Sequence, residues 1–266
     1  MTDISQHDKE YLSIILDPLA TCRNYRPKFG HGVGLTLAEF QTMYQADPFY
    51  SWFGLDSPLL YAAHKAGGGM TSVYRQIGIG CQRLIQRILM DALGLTAEQA
   101  TWSYQVTRSS GKTQTLSLDA RIPTSAVRDK SHRLAVTRWL RASSKSSGVS
   151  ADVSRVLKGT VFEVRQGYKS KDSKRQNADL ANAASAYSEA YLPVLLLLST
   201  QIDDDIADRY QNARWLILRR ATTGSTTTST YEFCRQVLGY DLAEFFERNS
   251  AQLRQEIESI LNTLLA

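Results

Sequence analysis

Asp119, Glu163 and Arg165 are the residues whose types and spacing are best suited to chemistry. Side chains alternate between apolar and polar along residues 113–122, and an apolar segment, 160–166, follows Gly159; together they predict two β-strands. Asp119 lies near the end of the first strand and Glu163 in the middle of the second. Arg165 follows Glu163 by two residues, so we expect both side chains on one face of the sheet. Two carboxylates that meet there can bind Mg²⁺, which activates a water towards a phosphate that a neighbouring cation steadies.

A purely structural interpretation of these residues also exists. Asp119 and Glu163 would then be ordinary exposed strand residues that form ion pairs with Arg121 and Arg165. The surroundings favour the chemical interpretation, because Glu163 lies in an apolar strand that leads directly into a dense polar segment.

That polar segment, residues 167–177, has the sequence GYKSKDSKRQN and is predicted to be a loop. Its cations can neutralise phosphates, and Arg, Lys, Gln and Asn can also read base edges in the major groove of DNA. The predicted DNA contacts are Lys171, Ser173, Lys174, Arg175, Gln176 and Asn177. A solvated charged loop is the alternative, but it would not account for the position directly after the predicted metal-binding strand.

Positive charge is concentrated in the middle of the chain. Residues 121–175 contain 14 Lys and Arg against four Asp and Glu, a balance of +10; the whole chain carries +5, so the remainder carries −5. A basic segment on an otherwise acidic protein favours a polyanionic partner over a solubilising surface, which usually mixes both signs. A basic helix is predicted within it, with Arg133 and Arg138 as candidate phosphate contacts. A solvent-exposed face is the alternative for this helix.

The order of the predicted elements is typical of an α/β fold with a central mixed β-sheet flanked by helices. Gly67, Gly68 and Gly69 are expected to break the chain before a helix that Gly94 ends. The predicted core elements are a helix at 71–93, strands at 101–108, 113–122 and 160–166, a helix from 178, a strand at 193–199, a helix at 203–212 and a strand at 215–219. A helical insertion, 124–157, is expected to divide at the flexible run 142–148.

Two smaller polar clusters have a simple interpretation beside a functional one. Asp203, Asp204 and Asp205 resemble a metal cluster, but we expect them to cap the helix that follows and to form its acidic first turn. Hydroxyl groups in residues 225–230, STTTST, could contact phosphates, although a plain loop is the simpler interpretation.

Composition restricts the class of protein and the metal that it could use. With 43% hydrophobic and 21% charged residues, the chain is typical of a soluble globular protein. Its longest apolar run, residues 193–198, is too short to span a bilayer, and its polar N-terminus does not resemble a signal peptide, so we expect no membrane partner and a cytoplasmic location. The scattered cysteines and histidines favour a hard metal ion held by carboxylates over zinc.

The strand LSLDARIP, the strand VFEVRQ and the helix before them resemble the core of the PD-(D/E)XK nuclease superfamily. In that superfamily a helix leads into a strand with a metal-binding Asp, and the next strand carries (D/E)xK. The resemblance covers roughly residues 71–220. The stretch GYKSKDSKRQNAD is similar to segments of restriction endonucleases.

The resemblance implies a sequence-specific, Mg²⁺-dependent endonuclease that acts on double-stranded DNA as a homodimer, in the manner of a Type II restriction enzyme. It implies that Asp119 and Glu163 are metal ligands and that Arg165 stands where the family usually has Lys. Arg hardly gives up a proton, so it could stabilise charge but not act as a base. Gln166 or Lys169 is the candidate for the missing contact. Gln82 lies on the helix where family members often have an acid, and it could support the site by orienting a water.

Other functions remain open at this stage. A DNA- or RNA-binding module without catalysis is favoured by the missing lysine and by the neutral Gln82. A repair or mobile-element nuclease belongs to the same chemical class, and a protein whose basic face meets an acidic partner is a different one. For the leading hypothesis we predict one nuclease domain over residues 1–266, with an N-terminal extension at 1–70, a catalytic core at 71–220 and a helical C-terminal part at 221–266.

Overall fold

The computed structural model describes residues 4–107, 111–167, 173–219 and 224–265. The chain divides into two compact units, the first formed by residues 1–80 and 248–266 and the second by residues 81–247. The division falls inside one long helix, between Gly80 and Cys81. The prediction of a single nuclease domain with extensions at both ends stays a prediction.

The described part of the first unit is helical. Its helices are α1 (Ile4–Ala20), α2 (Leu37–Gln45), α3 (Pro48–Trp52), the first two thirds of α4 (Pro58–Leu93) and α12 (Ser250–Leu265), with a 3₁₀ turn at Thr21–Asn24. Helix α1 packs against α12. The buried apolar side chains include Ile15, Leu19, Phe40, Ile260 and Leu264. The sequence shows why α2 begins where it does, since Thr36 and Glu39 form a reciprocal capping box at its first turn.

Helix α4 runs straight through the glycine triplet, so the predicted break at residues 67–69 is wrong. A Cβ atom on Gly68 would overlap the hydroxyl of Tyr25, and one on Gly69 would come within 2.5 Å of Leu264 Cδ2. The glycines therefore allow neighbouring side chains to approach the helix closely, and this packing offsets their poor helix propensity. The predicted end of the helix is confirmed, because Gly94 adopts a positive φ of 65° directly after Leu93.

The second unit is an α/β structure, as expected. Its strands are β1 (Trp102–Thr107), β2 (Thr113–Leu118), β3 (Ala120–Pro123), β4 (Gly159–Arg165), β5 (Tyr191–Leu197) and β6 (Leu216–Leu218). Its helices are α5 (Ala97–Ala100), α6 (Lys130–Ser146), α7 (Ala151–Val156), α8 (Ser173–Ser188), α9 (Asp204–Asn212), α10 (Thr230–Val237) and α11 (Leu242–Arg248), with a 3₁₀ turn at Thr124–Ala126.

The described strands form a hairpin and a four-stranded mixed sheet. Strands β1 and β2 pair antiparallel, and the larger sheet has the order β3-β4-β5-β6. Strand β3 is antiparallel to β4, whereas β4, β5 and β6 are mutually parallel. The prediction of a mixed central sheet with helices around it is confirmed, and the single strand expected at 113–122 divides at Asp119 into β2 and β3.

Two layers of helices cover the larger sheet. On one face Phe162 of β4 stacks near Trp139 of α6 and Phe233 of α10. On the other face Val161 shares a core with α8 and α9, whose buried residues include Ala183, Ala186, Ile206 and Tyr210. Because side chains alternate along a strand, Glu163 and Arg165 lie on the same face as Val161, beneath α8 and α9.

Two polar segments at helix ends differ in how well the sequence predicted them. Helix α6 continues to Ser146, so the flexible run predicted at 142–148 is mostly wrong. The buried Ser144 hydroxyl donates to Arg141 O at 3.0 Å, a carbonyl of the preceding turn, so this side chain is satisfied without breaking the helix. Asp203 caps α9 as predicted, since its side chain accepts from the Asp205 amide at 3.0 Å.

None of the described helices combines the length and the apolar character that crossing a membrane requires. Trp139 and Trp215 are both buried, which places the two tryptophans in the core of the second unit.

Candidate active site

Asp119 is the single residue between the hairpin strand β2 and the sheet strand β3. Its amide donates to Phe162 O at 2.8 Å, and its carboxylate Oδ2 accepts from the amide of Val164 at 2.7 Å. Since β3 is antiparallel to β4, the beginning of β3 lies beside the end of β4. The fold therefore fixes the Asp119 carboxylate on the last residues of β4, where the sequence predicted the two carboxylates to meet.

Glu163 and Arg165 form a buried ion pair at the end of β4. The contact joins Arg165 Nη2 to Glu163 Oε1, and the two side chains are only 11% and 6% exposed, arginine first. Removing two charges from water is costly, and an ion pair offsets that cost only when further hydrogen bonds support it. The structural interpretation therefore named the correct partner for Glu163, but its prediction that Glu163 is exposed is wrong, because this pair is inside the protein.

Asp179 of α8 extends the cluster on the other side of Arg165. Its Oδ2 atom lies 3.6 Å from Arg165 Nη2, and it accepts a hydrogen bond from the hydroxyl of Tyr210 on α9. Both Asp179 and Tyr210 are buried. The guanidinium group therefore bridges two carboxylates, one from the sheet and one from the helix layer above it.

Asp179 is not among the residues predicted from the sequence, although the sequence contains a signal for it. Ala183 and Ala186 are buried on α8 and follow Asp179 by four and seven residues, which is the spacing of one helix face. Asn182 lies on the same face and accepts from the Tyr104 hydroxyl at 2.6 Å. A polar residue within an apolar helical stripe indicates a buried polar network, and this pattern could have identified Asp179.

Gln82 of α4 contacts the site from the helix, since its side chain forms a hydrogen bond with Asp119. Burial raises the pKa of the Asp119 carboxyl above its ordinary value. The Val164 amide, the Arg165 charge and the Gln82 hydrogen bond oppose this rise, whereas the nearby Asp179 charge adds to it. The Val164 and Gln82 donors therefore stabilise the ionised form of Asp119, but the effect of burial is larger and the ionised form is disfavoured overall.

The structure brings four of the predicted residues together: Asp119, Glu163, Arg165 and Gln82. Gln166 follows β4 directly and is half-buried. Lys169 and Lys171 lie outside the described residues.

The predicted DNA contacts at residues 173–177 belong to a helix and not to a loop. Ser173, Lys174, Arg175, Gln176 and Asn177 form the first turns of α8, and the described structure gives their backbone alone. Residues 173–188 contain neither Gly nor Pro and are rich in good helix formers, which accounts for the early start of the helix.

Arg133 and Arg138 are exposed on α6, as one of their two interpretations predicted. Helix α6 packs on the face of β4 that carries Phe162, opposite the face that carries Glu163. The structure therefore does not place these two arginines in the carboxylate cluster.

The donor set is suited to Mg²⁺, although no group of three or more His, Cys, Asp or Glu that could hold a metal occurs among the described residues. Mg²⁺ is usually bound by one or two protein carboxylates, and water and substrate phosphates complete its coordination. Asp119, directly before β3, and Glu163, on the neighbouring strand β4, would supply two such carboxylates. Glu163 is also bound to Arg165, so that its charge is already partly neutralised.

A scan against protein-family models, a search of the curated proteins and a search of the solved structures found no match to this chain. The case for any function therefore depends on the residues themselves and on their geometry.

Proposed function

We propose that the chain is a Mg²⁺-dependent endonuclease of the PD-(D/E)XK type, which hydrolyses phosphodiester bonds of double-stranded DNA at a specific short sequence. The observation that carries the proposal is the hydrogen bond between Asp119 Oδ2 and the Val164 amide. It fixes a carboxylate from the start of one strand beside the strand that carries Glu163-x-Arg165. The order of α4, β3, β4, α8 and the parallel strand β5 agrees with the resemblance, although β1 and β2 precede β3, and α6 and α7 are inserted between β3 and β4.

Asp119 and Glu163 would hold the metal, which lowers the pKa of a bound water and stabilises negative charge on the scissile phosphate. Val164 and Gln82 orient Asp119 and favour its ionised form. Arg165 pairs with Glu163, while Asp179 and Tyr210 restrain the guanidinium group from the other side. Arg165 carries a permanent charge, so its role is electrostatic and it is not the base. Lys169 and Gln166 remain the candidates for a contact to the attacking water.

The charge distribution supports DNA as the substrate. Residues 121–175 carry a balance of +10, and this segment includes α6, β4 and the approach to α8. Lys and Arg contacts to phosphates account for much of the affinity of proteins for DNA. A specific duplex site is often two-fold symmetric, and a homodimer would match that symmetry.

A DNA-binding module without catalysis is the second candidate, and one observation favours it. The Arg165 guanidinium already contacts Glu163, so the ion pair competes with any metal ion for the same carboxylate. The two candidates share the DNA partner and differ only in whether strands are cut.

Digestion of a long, fully sequenced duplex DNA tests the proposal, with the purified protein in Mg²⁺ or in EDTA. The nuclease hypothesis predicts discrete fragments in Mg²⁺ alone, whose ends define the recognition site. Intact DNA in both conditions, together with salt-sensitive retention of the DNA, would reject the nuclease and support the binding module.

A further inference from the structure

A cleft of about 430 Å³ runs along β6, at the edge of the larger sheet in the second unit. The polar groups that line it include the side chains of Arg214, Arg219, Ser146, Ser147, Thr227 and Thr228. No carboxylate occurs among its described lining residues, and neither arginine forms an ion pair within the described part of the chain. The cleft is separate from the carboxylate cluster, because Asp119, Glu163, Arg165 and Asp179 do not line it.

Arg214 occupies a backbone position that usually belongs to glycine. It follows the end of α9 with a φ of 61°, and its amide bonds to Gln211 O while the Trp215 amide bonds to Tyr210 O. This pair of bonds is the Schellman motif, whose left-handed residue is most often glycine. An L-residue is strained there, and strain that persists is a reason to look for a function of the side chain.

Arg214 has two close neighbours, one at its side chain and one at its backbone. A Cβ atom on Gly148, which itself has a φ of 69°, would lie 2.5 Å from Arg214 Nη1. The guanidinium group therefore lies directly against the turn after α6, where residue 148 has no side chain. The Tyr187 hydroxyl donates to Arg214 O at 2.7 Å and fixes the backbone from the other side.

The charge around the cleft identifies the chemistry of its ligand. Arg141 and Lys145 are exposed on the α6 segment that leads to Ser146 and Ser147. Guanidinium groups bind phosphate oxygens through paired N–H donors, and serine and threonine hydroxyls commonly complete such contacts. An uncompensated pair of arginines therefore matches a phosphate group. The hydroxyls of Ser147 and Thr228 already donate to Ser143 O and Ser225 O, which leaves Ser146 and Thr227 as the hydroxyls that would add a contact.

We propose that this cleft binds a backbone phosphate of DNA and so serves as an anchoring site outside the carboxylate cluster, with Arg214 as its main contact. The inference rests on the DNA partner of the proposed function but not on strand cleavage. It also gives the hydroxyl-rich residues 225–230 a role, because Thr227 and Thr228 line the cleft.

Three variants of the full chain test this proposal: Arg214→Gly, Arg214→Lys and Ala190→Gly. Arg214→Gly removes the charge and relieves the left-handed strain, so loss of folding cannot explain a loss of binding. Ala190 also has a positive φ, of 64°, and Ala190→Gly therefore relieves the same strain in the same unit without a change of charge. Arg214→Lys keeps the charge at a strained position.

Duplex DNA binding in EDTA is measured by fluorescence anisotropy over a series of salt concentrations. We expect Arg214→Gly to bind several-fold more weakly at moderate salt, and its slope of log affinity against log salt to be smaller by about 0.9. Arg214→Lys and Ala190→Gly should keep the wild-type slope. Both glycine variants should melt at the wild-type temperature or about 2 °C above it.

The outcomes separate this proposal from the proposed function. An unchanged slope in Arg214→Gly would overturn the anchoring site alone, and a wild type that does not bind DNA would overturn both. A smaller slope in Arg214→Gly supports the anchoring site even if Mg²⁺ yields no fragments. If inorganic phosphate raises the melting temperature of the wild type but not of Arg214→Gly, while both bind DNA equally, the cleft takes free phosphate and the DNA proposal is overturned.

Discussion

At the scale of single residues, two opposing effects act on the pKa of the Asp119 carboxyl. Two donors, the Val164 amide and the Gln82 side chain, stabilise its ionised form, but burial has the larger effect and raises its pKa. An acid whose pKa is higher in the folded state makes folding less favourable as the pH rises from the ordinary pKa through the raised one. At pH values above the raised pKa the folded state carries the full destabilisation, and a carboxylate that binds a metal ion must be ionised at such pH values.

We predict that Asp119→Asn stabilises the protein at neutral pH and abolishes cleavage. The amide oxygen can still accept from Val164, while the buried charge is gone, so the free energy of unfolding should rise by about 1 kcal/mol. The gain should disappear as the pH is lowered through the raised pKa, because wild-type Asp119 is then neutral as well. Chemical denaturation at several pH values measures this, and a variant that is less stable than the wild type at neutral pH would contradict it.

Arg165 provides a second residue-scale prediction. Arg165→Met leaves the buried carboxylates of Glu163 and Asp179 without the guanidinium between them, and such a loss typically costs about 3–5 kcal/mol. Arg165→Lys should cost much less, since the charge remains. The control is Arg155→Met, because the exposed pair of Arg155 with Asp152 should contribute less than about 1 kcal/mol. Similar losses in Arg165→Met and Arg155→Met would reject the buried ion pair.

The residues of the site differ in how far the sequence could predict them. Asp119, Glu163 and Arg165 lie on or beside strands, where the alternation of side chains predicts both the strand and the face. Asp179 is fixed by long-range packing of α8 on the sheet, and its partner Tyr210 comes from yet another helix. Such a contact depends on which elements become neighbours, and local patterns contain little information about that.

At the scale of elements, the glycines of α4 have a low helix propensity, yet the helix continues through them and Gly69 allows a buried side chain to pack closely against it. A Cβ atom on Gly67 would meet no neighbouring atom within 4 Å, whereas Gly69 faces the buried Leu264 closely. Helix propensity is a local property, and the approach of Leu264 is a tertiary one. The sequence rule for glycine therefore predicted a break that the packing of the first unit overrides.

We predict opposite effects for two alanine substitutions in this triplet. Gly67→Ala should stabilise the protein by about 0.5–1 kcal/mol, since it improves helix propensity and meets no neighbour. Gly69→Ala should destabilise it by about 1–3 kcal/mol, because the new methyl group overlaps Leu264. The free energies of unfolding of both variants measure this. Stabilisation by both substitutions would mean that the close approach of Leu264 does not restrict residue 69.

At the scale of the whole molecule, the order of elements in the second unit was largely predictable from periodicity and turn residues. The main errors have a common cause, since α6 and α8 both extend into polar segments that were assigned to loops. Polar composition alone does not distinguish a loop from an exposed helix end. The division of the chain into two units inside α4 has no signal in the sequence, because a continuous helix shows no linker.

The charge of the whole chain is also informative only through its distribution. A net charge of +5 is ordinary for a chain of this length. The basic segment, residues 121–175, contains β4 of the carboxylate site, and it also contains Ser146 and Ser147, which line the cleft beside β6. The proposed cleavage site and the proposed phosphate anchor thus both belong to the second unit. This arrangement predicts that the second unit carries the DNA contacts.

Cleavage by two matched variants is the measurement that tests the central claim most directly. Glu163 and Glu232 are both buried, each 5% exposed, and each pairs with an arginine of the second unit, so each Gln variant removes one buried acidic charge; Arg235, the partner of Glu232, is itself exposed. We predict that Glu163→Gln lowers Mg²⁺-dependent DNA cleavage by at least about 100-fold and leaves DNA binding measurable, since the variant lacks a proposed metal ligand. Glu232→Gln should cut at a rate close to that of the wild type. Equal cleavage by the wild type and Glu163→Gln would contradict the assignment of this site as the active site of a nuclease.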